Sequence, residues 1–63
     1  MLKSKELQYI ETARTEKATR YMVAKLGGFY KKLTGVELYD ECLCSQLLRD
    51  TYKTKFYNFY DAR

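Results

Sequence analysis

KLGGFYKKLTG, Lys25 to Gly35, contains all three glycines of this chain. Whether a helix stops at Gly27-Gly28 or runs beyond them decides how the whole sequence divides. Glycine lacks a Cβ and is a frequent residue just past a helix end. A glycine pair directly after a helical pattern therefore reads as a C-cap. On this reading one helix runs from about Ser4 to Leu26, with Ser4 as N-cap. Leu7, Ile10, Tyr21 and Ala24 then fall on roughly one face. Through Thr12–Arg20 alanine is the only apolar residue, which predicts a solvated stretch with Glu16 and Arg20 paired at i, i+4. Phe29 to Gly35 reads as a turn or a loop with some helical character.

Beyond Gly35 the apolar spacing strengthens. Val36, Tyr39, Leu43 and Leu47 recur at helical intervals, with Cys44, Leu48, Tyr52 and Phe56 as a second row. This predicts a helix from about Val36 to Phe56 with a broad apolar face and Glu37, Glu41, Arg49 and Lys53 opposite. The tail YNFYDAR is aromatic and has no clear period. The expected fold is all-α, a small helix–loop–helix hairpin, with residues 1–28 as an N-terminal helical extension and 29–63 as loop and docking helix.

Composition narrows the function. A chain of 63 residues is at most one domain and buries only about 60% of its unfolded surface. Leu43, Leu47, Leu48, Tyr52, Phe56, Phe59 and Tyr60 exceed what the sparse N-terminal helix would cover, so the face is expected to need a protein partner. By the same argument the isolated chain is expected to be poorly folded. Seven tyrosines and three phenylalanines add to the case for an interface.

Metal and catalytic chemistry have little to work with. There are two cysteines and no histidine, whereas a closed zinc site takes four such ligands. The carboxylate sets Asp40/Glu41 and Asp50/Asp61 look like solvated helix charges, so no catalytic residue and no cofactor is expected. In a helix, residues two apart point about 200° from one another. Cys42 and Cys44 are thus expected to be reduced and unpaired, Cys44 packing as a small hydrophobe.

Charge is uneven. Residues 1–34 carry eight basic and three acidic groups, giving +5; residues 35–63 carry four and five, giving −1, for a total of +4. Lys25, Phe29, Tyr30, Lys31 and Lys32 form a basic-aromatic cluster. It reads either as a single-strand nucleic-acid site of a small regulator or as a loop with rings inward and lysines outward. No stretch approaches the roughly 20 apolar residues of a membrane span. MLKSKELQYIE has neither the apolar run of a secretory signal nor the acid-poor character of a mitochondrial presequence, so a soluble intracellular chain is expected.

LYDECLCSQLLRDTYKTKF, Leu38 to Phe56, resembles the helix of the mitochondrial ATP synthase epsilon subunit. Tyr30-Lys31 stands at that family's aromatic-basic pair, where tryptophan is usual. Cys44 stands at its small-residue position, and Arg49-Asp50 and Lys53-Thr54 at the later ones. The resemblance implies a non-catalytic subunit of the central stalk, matrix-side at the mitochondrial inner membrane. It would pack on the gamma and delta subunits near the c-ring and keep proton flow coupled to ATP synthesis. The implied contacts are Tyr30, Lys31, Leu43, Cys44, Leu47, Leu48, Tyr52 and Phe56, with no nucleic acid and no membrane span.

Overall fold

The computed structural model describes residues 2–39 and 42–63. Among the described residues the chain is all-helical as expected, with three helices: α1 Ser4–Ala13, α2 Arg20–Thr34 and α3 Gln46–Asp61. The boundaries differ from the two-helix reading. The first predicted helix is broken at residues 14–19, and the second begins only at Gln46.

Each boundary has a local cause. Lys3, not Ser4, holds the position ahead of α1, where its backbone N–H donates to Glu6 Oε1 at 2.8 Å. That is the reciprocal half of a capping box, and Glu6 also meets the positive end of the helix. Thr19 caps α2, its hydroxyl accepting from the Met22 N–H at 3.1 Å. Ser45 caps α3 by accepting from the Leu47 N–H at 3.2 Å.

The glycine pair does not end α2; Gly35 does. Gly35 is left-handed at φ 77°, and its N–H donates to the Lys31 carbonyl at 2.7 Å. That backbone favours glycine. Lys31 and Lys32 fill the last turn, where cations suit the helix dipole. Gly27 and Gly28 stay inside the helix for different reasons. The Tyr39 ring lies on Gly27, where an added Cβ would stand 2.6 Å from Cε1. At Gly28 nothing lies within 4 Å.

α1 turns back toward α2 and meets it through side chains. Glu6 meets Lys32, and the rings of Tyr9 and Phe29 meet edge to face at 6.1 Å. α3 lies beside α2 in the same sense, because Gln46 and Arg49 reach the Ala18 carbonyl ahead of α2 while Phe59 meets Tyr30 near its end. Helices in the same sense need a return path. α2 is roughly 22 Å long, and residues 35–45 can extend beyond about 30 Å.

The core is closed within the chain. Phe56, Ile10, Leu26 and Val23 are its largest fully buried side chains, joined by Leu2, Leu38, Leu43 and Tyr57. α1, the return segment and α2 together cover α3, more than a single N-terminal helix would.

Tyr57 links α1 to α3, its hydroxyl donating to the Ile10 carbonyl at 2.6 Å. Burial pushes this phenol up to about 12. A raised phenol holds its proton longer in the folded than in the unfolded chain, so the folded state binds more protons between pH 10 and 12. Stability should fall as pH rises through that window, and Tyr57→Phe should remove most of that slope in melts at a series of pH values. At neutral pH the same variant should lose about 1 kcal/mol with its hydrogen bond.

Candidate interaction surface

The basic-aromatic cluster keeps its rings inside. Phe29 is buried, and Tyr30 is half-buried with its ring 4.8 Å from that of Phe59. The lysines reach outward, each engaged. Lys31 Nζ pairs with Glu37 Oε1 at 2.8 Å and is pushed up chiefly by that hydrogen bond. Lys32 pairs with Glu6 at 3.2 Å. Glu6 is held below its usual range, first by the Lys3 N–H and then by Lys32. Lys25 lies over the rings of Tyr9 and Tyr21 at 4.8 and 5.6 Å. The open groove of about 480 Å3 between Glu6, Lys25, Gly28 and Lys32 is therefore of mixed charge.

The residues expected at a partner interface separate into two groups. Leu43 and Phe56 are buried in the chain's own core. Leu47 is 75% exposed. Cys44 and Lys31 are exposed, and Tyr30, Leu48 and Tyr52 are half-buried. Leu47, Leu48 and Tyr52 thus remain reachable on the first turns of α3. Tyr30 belongs to α2 and is engaged with Phe59, near the end of α3.

The cysteines correct the sequence reading. Cys42 and Cys44 form a disulfide, with Cα atoms 5.4 Å apart. Two thiols at this spacing diverge only on a helix. This segment is not helical, and the separation is within the ordinary disulfide range. Cys44 is exposed rather than part of an apolar row.

The carboxylate pairs provide no catalytic geometry among the described residues. Asp50 accepts from Gln46, and Asp61 forms an ion pair with Arg14 at 2.9 Å. About 16 Å of helix axis separates the two. Asp61 sits below its usual range, chiefly through the hydrogen bond from Arg14. Asp40 and Glu41 lie outside the described residues. Among the described residues no group of three metal-ligating side chains exists, and no helix is long and apolar enough to cross a membrane.

The sequence spacing puts Arg49 opposite the apolar face as a solvated charge, yet it is a structural junction. Its guanidinium donates to the Ala18 carbonyl at 3.0 Å, the Leu43 carbonyl at 2.6 Å and Gln46 Oε1 at 3.0 Å. It thereby ties the α1–α2 turn and the return segment to α3. Sequence spacing cannot reveal the bond to the Ala18 carbonyl, 31 positions away. Arg49→Met keeps the aliphatic stem but removes the donor to Leu43 and one of the two donors to Ala18. It should cost about 2 kcal/mol, read as a shift in urea midpoint at unchanged slope.

No protein family, no curated protein and no solved structure matches this chain.

Proposed function

We propose that this chain is a small non-catalytic protein that acts by binding another protein through the start of α3. The observation that carries this is the exposure of Leu47, a large apolar side chain left further in water than the other exposed ones, Tyr21, Val36 and Leu7. Leu48 and Tyr52, half-buried on the first turns of α3, would complete a contact with an apolar centre. The nucleic-acid reading has less to stand on, because the rings that would stack on bases are packed inward.

The resemblance supplies one specific partner set, the gamma and delta subunits of the mitochondrial ATP synthase stalk. Its support is the local sequence from Tyr30 to Phe56. That stretch is folded as the end of α2, an irregular return segment and the first turns of α3. The test is a tagged chain purified from its own host beside a Leu47→Asp variant. Stoichiometric gamma and delta with the native chain, lost in the variant, would support both the stalk and the surface. Failure to recover those subunits would end the stalk assignment. Equal capture of the same partner by both proteins would end the assignment of Leu47. Retention on nucleic acid that falls steeply with salt would favour the rival reading.

A further inference from the structure

We propose that Cys42 and Cys44 are a reversible dithiol–disulfide exchange site whose substrate is a dithiol reductant. Closing a loop across a single residue removes little chain entropy from the unfolded state, so this bond is a poor staple. Neither cysteine belongs to the core, and both are exposed to an attacking thiolate. The residue between them is fixed by other means. Leu43 is buried, and its carbonyl accepts from Arg49 Nη1. Reduction therefore leaves the two thiols held next to each other, ready to close again.

The two sulfurs are not equivalent. Cys44 immediately precedes Ser45, the N-cap of α3. The positive end of a helix favours a thiolate there. Cys42 follows Asp40-Glu41 in the sequence, and neighbouring negative charge disfavours a thiolate. Exchange expels the more stable thiolate, so attack falls on Cys42 Sγ with Cys44 leaving. A mixed disulfide forms at Cys42. The second thiol of the reductant then attacks its own bonded sulfur and releases Cys42. Two electrons and two protons pass from the dithiol to the chain. The products are the reductant's disulfide and two cysteine thiols.

The experiment uses the full chain with dithiothreitol as probe, read by thiol alkylation and mass. The chain isolated without reductant should lack two hydrogens relative to the dithiol form. Dithiothreitol in native buffer should reduce it with the helical circular dichroism unchanged, and oxidised dithiothreitol should restore the bond. Reduced thioredoxin at equal thiol concentration separates a protein source from a small-molecule one, whichever is faster. Cys42→Ser, which leaves Cys44, should react with iodoacetamide at pH 7 about tenfold faster than Cys44→Ser. Two free thiols that oxidised dithiothreitol cannot join, or a bond reduced only after denaturation, would overturn the site. Equal alkylation of the two variants would overturn Cys44 as the leaving thiolate.

Discussion

Phe56→Ala should leave the chain largely unfolded at room temperature. Phe56 has no exposed surface, stacks on Tyr60 at 5.8 Å and meets Tyr57 edge to face at 5.2 Å. Truncating a buried phenylalanine costs about 3–5 kcal/mol, because transfer energy is lost and a cavity remains. At about 0.05–0.15 kcal/mol per residue, a chain of this size has only about 3–9 kcal/mol in total. One side chain therefore carries a large part of the whole. Leu47→Ala, at a side chain that already stands 75% in water, should change stability by less than about 0.5 kcal/mol. Circular dichroism melts of the two variants make the comparison. A Phe56→Ala chain that melts like the native one would mean that this ring is an outward contact and not the centre of the core.

The second large effect is a reversal of sign between adjacent glycines. Gly28→Ala should stabilise by about 0.5–1 kcal/mol, since alanine is the better helix former and its methyl meets open space. Gly27→Ala gains the same propensity but drives its methyl into the Tyr39 ring. That ring is half-buried and tilted against Tyr52 at 5.6 Å, so moving it disturbs the return segment against α3. Overpacking of this kind costs about 1–3 kcal/mol, and Gly27→Leu should reach or exceed the upper end. The melting temperatures of the two alanine variants should bracket the native value. For a chain of this length each kcal/mol moves the midpoint by roughly 4–8 °C. Combining Gly27→Ala with Tyr39→Ala should cost less than the sum of the two. Additive costs would show that the ring is not what excludes the methyl.

These glycines also explain why the sequence was legible in class but not in its joints. Helical periodicity is strong enough to establish an all-helical chain. It does not distinguish a glycine that stops a helix from one that admits a neighbouring ring, since Tyr39 is twelve positions from Gly27. Thr19 and Ser45 were readable as N-caps by residue type, and Thr34-Gly35 as a stop. The apolar spacing from Val36 to Leu47 outweighed them, although it arises from an irregular segment that inserts Leu38 and Leu43 into the core. Leu47 and Leu48 were legible as candidates for a contact. Arg49 was not, because its acceptors are backbone carbonyls supplied by the fold, and the cysteine pair was not, because its geometry depends on the absence of a helix.

The same-sense arrangement of α2 and α3 also determines where anything attached to the chain would sit. Leu2, Leu33 and Arg63 line one open groove, so the first and last described residues lie near one another around the end of α2. Leu47 is at the other end of α3, about 20 Å away along the axis. A tag or fused domain at either terminus would emerge from the same corner and leave the start of α3 unobstructed. A short flexible tether between the termini should close the chain into a ring without strain on the core.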